Sequence, residues 1–169
     1  PHGTTIANNG VNFSVFSRNA TEIFLDIFEN EESSYPYFSY KFDNIYNRTG
    51  DIWHVFIEGL KPGALYLYRV NGPFAPEKGH RFNKNCYLID PYAKALTNKS
   101  IFKNLPKNYT PAKDKMDIEF GSLYDAANFP KCVVIDDDDF DWEGDKPLNF
   151  PLRKSVLYEA HVKGFTASS

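Results

Sequence analysis

The sequence predicts a mostly β chain, folded as an immunoglobulin-like antiparallel β-sandwich with a long irregular C-terminal extension. Aromatic residues make up 17% of the 169 residues, with 15 Phe and 11 Tyr against a single Met, and aromatic side chains favour strands. Short runs of alternating apolar and polar residues recur about every ten residues up to Gly72. No helical period interrupts them, so two packed antiparallel sheets are the simplest architecture.

The predicted strands are defined by apolar residues at every second position, which places those side chains on one face of each strand. Polar breaks such as SRNATE and NIYNRTGD separate the strands, and Asn71-Gly72-Pro73 closes the last one. The five alternating sets are Val11, Phe13 and Val15; Ile23, Leu25 and Ile27; Phe38, Tyr40 and Phe42; Trp53, Val55 and Ile57; and Tyr66, Tyr68 and Val70.

The chain changes character after Pro73, where residues that break regular structure become frequent. We predict a short helix over residues 91–96, because Asp90 is a suitable N-cap and Pro91 a suitable first helical residue. Residues 97–128 are polar without a sustained period and are expected to form a long, mobile surface connection. Further strands are predicted over residues 131–135 and over the largely apolar residues 156–162.

Charge and hydropathy exclude two classes of partner. The formal net charge is -3 and the pI is near 5.8, so we expect no nucleic acid partner, because such binding needs a basic surface. No apolar stretch approaches the roughly 18 residues that span a bilayer, so no membrane partner is expected. Cys86 and Cys132 lack the CxxC spacing of a redox or zinc site. We expect reduced, structural thiols, no cofactor and a cytoplasmic location.

The four consecutive aspartates at 136–139 are the one candidate for a metal site. Carboxylates are suitable ligands for a hard cation. However, contiguous side chains point apart, and the spacing of a calcium-binding loop is missing. We therefore interpret the run as a solvated acidic link and expect no metal.

Five stretches carry a family resemblance, in this order: GVNFSVFS, LKPGALYLYRVNGP, GHRFNKNCYLIDPYAKAL, FDWEGDKP and VLYEAHVKGFT. They resemble isoamylase-type and glycogen-operon debranching enzymes of the α-amylase superfamily. The resemblance implies a glycogen-binding-type β-sandwich over residues 1–96, an extended linker with one further strand over 97–152, and the truncated start of a (β/α)8 catalytic barrel over 153–169. Because such a barrel takes about 250 residues, we expect the chain to be a fragment.

The parent implied by the resemblance hydrolyses α-1,6-glucosidic branch linkages in glycogen or limit dextrin. Retaining hydrolysis needs two carboxyl groups about 5–5.5 Å apart. Similar enzymes carry theirs on later barrel strands, so no catalytic residue is expected in this chain. Its expected partners are a branched α-glucan and the missing catalytic barrel. The alternatives are another amylase-superfamily parent, such as a glycosyltrehalose hydrolase or a branching enzyme, and a free-standing glycan-binding module.

Four residues are candidates for glucan binding: Trp53, Tyr68, His80 and Arg81. Glucose rings present apolar faces that stack on aromatic side chains, while polar groups bind the hydroxyls. Trp53 and Tyr68 share the alternation of buried residues, so core packing is the competing interpretation for both. For His80 and Arg81, the competing interpretation is buried hydrogen bonding to the predicted helix at DPYA.

Four later residues are candidates for contact with the missing barrel. Trp142 lies in a predicted loop and is interpreted as an interdomain anchor. Tyr158, Glu159 and His161 lie in the predicted terminal strand, where Glu159 and His161 would point to the same side. Hydrogen bonding inside the barrel is the preferred interpretation for this pair, because catalytic groups belong at the C-terminal ends of barrel strands.

The sequence departs from the glycogen-binding modules of kinase regulatory subunits. Those modules carry an Asn-Asn-Trp platform in an early loop and a Lys shortly before Val-Asp-Gly. Here the early loop reads FENEESSYPY, and Leu67 stands where that Lys would. We therefore expect the module to shape and support a substrate cleft first and to contact glucan second.

Overall fold

The structure is a computed structural model that describes residues 2–98, 125–127 and 129–167. The chain divides into two compact units, Pro1–Asp137 and Asp138–Ser169. The first unit contains all the strands found among the described residues and the hydrophobic core. Within the described residues, no helix is long and apolar enough to cross a membrane.

Two antiparallel sheets build the first unit. The first sheet contains, in spatial order, β1 (Gly3–Ala7), β2 (Gly10–Phe16), β6 (Ile52–Glu58) and β5 (Arg48–Thr49). The second contains, in spatial order, β10 (Ala95–Leu96), β11 (Cys132–Val133), β7 (Leu65–Asn71), β3 (Glu22–Phe28) and β4 (Phe38–Lys41). A separate small hairpin contains β8 (Phe74–Ala75) and β9 (His80–Arg81), joined by a 3-10 turn at Pro76–Lys78.

The core lies between the two sheets, where the alternating apolar residues of the central strands meet. In the first sheet Val15 is opposite Trp53, and in the second Leu25 is opposite Tyr68. The rings of Phe13, from the first sheet, and Tyr66, from the second, pack edge to face with centroids 5.0 Å apart. These contacts confirm the predicted β-sandwich, and the five predicted strands correspond to β2, β3, β4, β6 and β7.

The helix predicted over residues 91–96 is wrong. The Asp90 carboxylate accepts a hydrogen bond from the Tyr92 N–H at 2.8 Å, and the Ala93 N–H donates to the Asp90 carbonyl at 3.0 Å. These bonds form a single turn. The chain then enters β10, which pairs with β11, because sheet pairing satisfies the backbone groups that a helix would otherwise use.

Two further predictions concern the end of the first unit. The long connection predicted at residues 97–128 falls largely on 99–124 and 128, which lie outside the described residues. The strand predicted over residues 131–135 is confirmed as the shorter β11. This strand lies in the interior of its sheet, because it pairs with β7 on one side and with the edge strand β10 on the other.

The second unit has little regular structure. It contains a 3-10 turn at Leu152–Lys154 and the helix α1 (Val162–Thr166), and its described residues are all exposed. The strand predicted over residues 156–162 is therefore wrong: residues 155–161 have no regular structure, and Val162 begins α1. An extended segment becomes a strand only when a neighbour pairs with its backbone, and none of the described strands does so here.

Candidate functional site

A cavity of about 410 Å³ lies at one end of the sandwich, where β2 ends, β3 begins and β7 ends. Val15, Ile23 and Val70 line it from the two sheets. The segment 79–91, which follows the turn after β8, supplies most of the remaining wall. The volume lies within the range of about 300–1,000 Å³ typical of small-molecule sites.

Tyr68 forms part of the inner wall of this cavity and is only 2% exposed. Its backbone pairs with Leu88, with N–H to carbonyl distances of 3.0 and 2.8 Å, so the segment 79–91 continues alongside β7. Burial is the main cause that raises the pKa of the Tyr68 phenol well above its ordinary value. The hydroxyl stays protonated, and no described residue forms a hydrogen bond with it.

Asn83 is the second buried polar residue of the cavity wall, at 4% exposure. Its Oδ1 accepts the Asn85 N–H at 2.9 Å, which fixes the orientation of the amide group. The remaining atom, Nδ2, is buried and has no hydrogen-bond partner among the described residues. Asn83 was not predicted from the sequence, because an Asn in a segment rich in structure breakers is typical of turns; its place within GHRFN was the available signal.

His80 and Arg81 form β9, opposite Ala75 and Phe74 of β8. Gly79 closes the turn between the two strands with φ 82°, and its N–H donates to the Pro76 carbonyl at 3.0 Å. Arg81 is exposed and lines the cavity. Within the described part of the chain it forms no ion pair.

His80 is half-buried, and its ring centroid lies 6.3 Å from that of Phe82, which lines the cavity. A Cβ added to Gly72 would lie 2.7 Å from Cγ of Phe82, so glycine at the end of β7 leaves room for this ring. The helix at DPYA, to which His80 and Arg81 could have bonded, is replaced in the structure by a turn and β10.

Trp53 lies in the core with no exposed surface, so its ring offers no face to a sugar in this structure. Its indole N–H donates to the carbonyl of Ser17 at 3.0 Å, and Ser17 lines the cavity. Three of the four glucan candidates are therefore associated with one place: Tyr68 and Arg81 line the cavity, and His80 lies beside it. Trp53 supports the cavity wall from behind.

The outer face of the second sheet is covered by the chain itself. Leu67, which stands at the position of the family's Lys, is wholly buried there. Beside it, the buried Asp26 carboxylate accepts hydrogen bonds from Ser39 Oγ at 2.5 Å and from the Arg69 guanidinium at 3.0 Å. The Tyr87 ring packs edge to face on Phe28, with centroids 5.6 Å apart. A glucan therefore cannot reach Leu67 in this arrangement.

A second buried carboxylate, Asp90, joins the segment 79–91 to the core. It is 2% exposed, and its Oδ2 accepts the Tyr66 hydroxyl at 2.8 Å. Burial raises the pKa of Asp90 above its ordinary value, although the bonds from Tyr92 and Tyr66 oppose this effect. The Asp90 N–H donates to Cys132 Sγ at 3.3 Å, and burial raises the pKa of that thiol to about 12.

The four barrel-contact candidates all lie in the second unit and are exposed. Trp142 is 64% exposed and packs edge to face on Phe140 at 4.8 Å between ring centroids, and Tyr158 is 81% exposed. Glu159 and His161 do not lie on a strand. Instead, His161 Nδ1 accepts the Gly164 N–H at 2.9 Å and caps α1.

The run at 136–139 straddles the boundary between the two units. Lys94 Nζ forms an ion pair with Asp137 in the first unit. Within the described residues, no group of three or more His, Cys, Asp or Glu side chains is arranged to hold a metal ion.

Comparison with known proteins gives a family match over the sandwich. Residues 1–93 match the model of carbohydrate-binding module 48, described as the isoamylase N-terminal domain. The matched range contains all strands up to β9 and the whole segment 79–91 that encloses the cavity.

Curated relatives extend the similarity over almost the whole chain. The glycogen debranching enzyme of Yersinia pseudotuberculosis serotype IB is 40% identical over 170 residues, which cover 98% of this chain and 23% of that protein. The glycogen debranching enzyme of Yersinia enterocolitica serotype O:8 is 39% identical over 168 residues, again 98% of this chain and 23% of the relative. The chain thus spans less than a quarter of the length of these relatives.

Solved structures share the fold. The GBS pullulanase SAP, solved in complex with maltotetraose, aligns with a TM-score of 0.54 and 15% identity over 85% of this chain and 15% of its own. The catalytic module of the glycogen-degrading pneumococcal virulence factor SpuA aligns with a TM-score of 0.52 and 14% identity, over 80% of this chain and 16% of its own.

Proposed function

Because the chain belongs to the carbohydrate-binding module 48 family of isoamylase N-terminal domains, we propose that it is the N-terminal module of an isoamylase-type glycogen debranching enzyme. The enzyme would hydrolyse α-1,6-glucosidic branch linkages in glycogen or limit dextrin. The observation that carries this proposal is the 40% identity with a Yersinia glycogen debranching enzyme across 98% of the chain. Since the chain spans 23% of that relative, we assign the chemistry to the remainder of the enzyme.

A supporting role without catalysis is consistent with the hydrogen bonds that the buried carboxylates of Asp26 and Asp90 form within the fold. Glycoside hydrolysis by a retaining mechanism requires two carboxyl groups about 5–5.5 Å apart across the bond that is cleaved. Asp26 is bound by Ser39 and Arg69, and Asp90 by Tyr66 and Tyr92. Neither of these two carboxylates lines the cavity.

We place the glucan contact on the β8–β9 hairpin. His80 and Arg81 are the accessible members of the predicted set, whereas Trp53 and Tyr68 are 0% and 2% exposed. An imidazole and a guanidinium can both donate hydrogen bonds to sugar hydroxyls. The proposal includes a cytoplasmic location, which fits the absence of a disulfide between Cys86 and Cys132.

Electrophoresis of the chain through a native gel that contains glycogen tests the glucan contact. We expect glycogen to retard the wild-type chain. The double variant His80→Ala/Arg81→Ala should migrate at the same rate in gels with and without glycogen. Lys61→Ala, which removes an exposed cation in the turn before β7, is the matched control and should be retarded like the wild type. Equal retardation of the double variant, with an unchanged circular dichroism spectrum, would refute the contact at the hairpin.

The reaction is tested separately on the longer protein that carries this sequence at its N-terminus. Incubation with glycogen limit dextrin should release linear maltodextrins, and the reducing ends that appear should match the branches that disappear. Transfer of branches without a net increase in reducing ends would contradict the debranching assignment.

A further inference from the structure

We propose that the cavity at the end of the sandwich is a binding site for a small carboxylic acid with an apolar body. The apolar walls would enclose the body, and Arg81, Asn83 and Tyr68 would donate hydrogen bonds to the carboxylate. This inference goes beyond the glucan role and does not rest on it, because it is drawn from the cavity alone.

The composition of the cavity wall favours a ligand with an apolar body over a sugar. Most of the lining consists of aliphatic and aromatic side chains, among them Val15, Ile23, Phe82 and Ile89. A sugar carries hydroxyl groups around its whole edge, and each one buried without a partner is unfavourable. A phenyl ring or a branched aliphatic chain has no hydrogen bonds to lose in such an environment, and its transfer from water is favourable.

Two buried polar groups without a described partner, Asn83 Nδ2 and the Tyr68 hydroxyl, favour a ligand with a hydrogen-bond acceptor. Asn83 Nδ2 can only donate, since Oδ1 already holds the amide orientation through Asn85. The Tyr68 hydroxyl stays protonated because burial raises its pKa, so it is also available as a donor. Both residues are more than nine-tenths buried and line the cavity. A carboxylate is an acceptor through both oxygens and would satisfy the two groups together.

The charges of the cavity wall favour an anionic ligand. Arg81 lines the cavity and has no ion-pair partner within the described residues. No Asp or Glu is among the described residues that line the cavity. A guanidinium binds a carboxylate by charge-assisted hydrogen bonds, which are about twice as strong as neutral ones. The wall of the cavity thus includes a cation, two residues with neutral donors and many apolar side chains.

The probe for this test is 3-phenylpropionate, titrated into the 169-residue chain and followed by isothermal calorimetry. We expect saturable binding with a stoichiometry of one. The neutral analogue 3-phenylpropan-1-ol has the same apolar body without the charge and should bind about tenfold more weakly. Bound probe should also slow the reaction of the Cys86 thiol, which lines the cavity, with a thiol reagent.

Two variants locate the site. Arg81→Met should weaken binding of 3-phenylpropionate about tenfold and remove the preference for the charged probe over the alcohol. Leu88→Trp fills the cavity from a residue that is 46% exposed, so the fold should tolerate it, and binding should be lost. Lys61→Met removes a cation outside the cavity and should leave binding unchanged.

Three results would overturn the proposal, provided that thermal unfolding shows each variant to be folded. They are the absence of saturable binding to the wild type, equal affinity for the acid and the alcohol, and undiminished binding to Arg81→Met and Leu88→Trp. Binding of maltose that is tighter than that of 3-phenylpropionate and lost in Leu88→Trp would instead assign the cavity to a sugar.

Discussion

Buried polar side chains in this protein fall into two groups with opposite consequences. Asp26 and Asp90 are buried, and each accepts hydrogen bonds from neighbouring residues. The hydroxyls of Tyr68 and Tyr87 are buried without a partner among the described residues. Removing a partner from the first group leaves an unsatisfied acceptor, whereas removing a hydroxyl from the second group leaves nothing unsatisfied.

Tyr66→Phe tests the first group. The substitution removes the hydroxyl that donates to Asp90 at 2.8 Å, and we expect it to lower the free energy of unfolding by about 1–3 kcal/mol. Tyr87→Phe is the matched control, since its hydroxyl has no described partner, and it should change stability by less than about 0.5 kcal/mol or increase it. Urea denaturation measures both values, and equal losses in the two variants would contradict the argument.

The pH dependence of stability tests Asp90. Burial raises its pKa in the folded state above the ordinary value of about 3.9, so the folded protein binds this proton more tightly than the unfolded chain. The resulting stabilisation is complete below the ordinary pKa and is lost as the pH rises through the raised pKa. Asn at position 90 cannot titrate. The free energy of unfolding of Asp90→Asn should therefore increase relative to that of the wild type as the pH rises from about 3 to 7.

Urea denaturation of the wild type and of Asp90→Asn across this pH range measures the shift. Glu159→Asn, which removes an exposed carboxylate in the second unit, is the control and should follow the wild type. A difference between the wild type and Asp90→Asn that stays constant with pH would contradict the raised pKa.

Side chains such as Asp26 and Lys131 show where sequence patterns stop being informative. Both are fully buried although charged residues usually lie at the surface. Lys131 Nζ donates to the carbonyls of Glu31 and Ala126, the first of which lies 100 residues away along the chain. Only the folded arrangement brings such partners together. The cavity was missed for the same reason, since its two sides are separated in sequence.

At the level of elements, strands with strict alternation were predictable and short ones were not. β6 carries Trp53 and Val55 at alternate positions and was predicted within about a residue. β1 reads GTTIA, and its buried Thr4 carries no apolar signal. The two-residue β10 depends on β11, which lies more than thirty residues later. Periodicity cannot detect either one, because their stability comes from pairing.

The ion pair between Asp26 and Arg69 connects three strands of the second sheet. Asp26 lies in β3, Ser39 in β4 and Arg69 in β7. Burial acts to lower the pKa of Arg69, but the hydrogen bond and charge of Asp26 outweigh it and raise that pKa. The pair therefore keeps both charges inside the sheet, although Arg69 remains 14% exposed.

Arg69→Met tests the importance of this pair. It leaves the Asp26 carboxylate buried beside Ser39 alone, and we expect a loss of about 3–5 kcal/mol in the free energy of unfolding. The double variant Asp26→Leu/Arg69→Met removes both charges and should recover most of that loss. Arg18→Met breaks the exposed pair with Asp51 and should cost less than about 1 kcal/mol. Chemical denaturation of the three variants gives the comparison, and a smaller effect of Arg69→Met than of Arg18→Met would refute it.

At the level of the whole molecule, the sandwich has a hydrophobic core, whereas the described residues of the second unit do not form one. In the part of the chain that the structure describes, the buried hydrophobic residues all lie from Val11 to Val134, within the first unit. The described residues of the second unit are exposed, including Leu148 at 92% and Val156 at 95%. The sequence predicted strands in both regions, because an apolar run such as that at 156–162 has the same pattern whether or not a neighbour pairs with it.

Removing residues 138–169 should therefore leave the sandwich intact. We expect the shortened chain to unfold in a single cooperative transition, with a free energy of unfolding within about 0.5 kcal/mol of the full chain. Differential scanning calorimetry measures the transition. A loss of several kcal/mol would show that the second unit contributes to the stability of the first.

The interior position of β11, between β7 and β10, affects how the protein folds during synthesis. β7 pairs at Leu65 and Tyr66 with a strand that begins at Cys132. Translation proceeds at about 5–20 residues per second, so a nascent chain leaves this part of β7 without its neighbour for several seconds. Open edges of this kind pair with other chains. Crowded polysomes therefore favour misassembly of this sheet, and slower translation after Tyr66 lengthens the exposure.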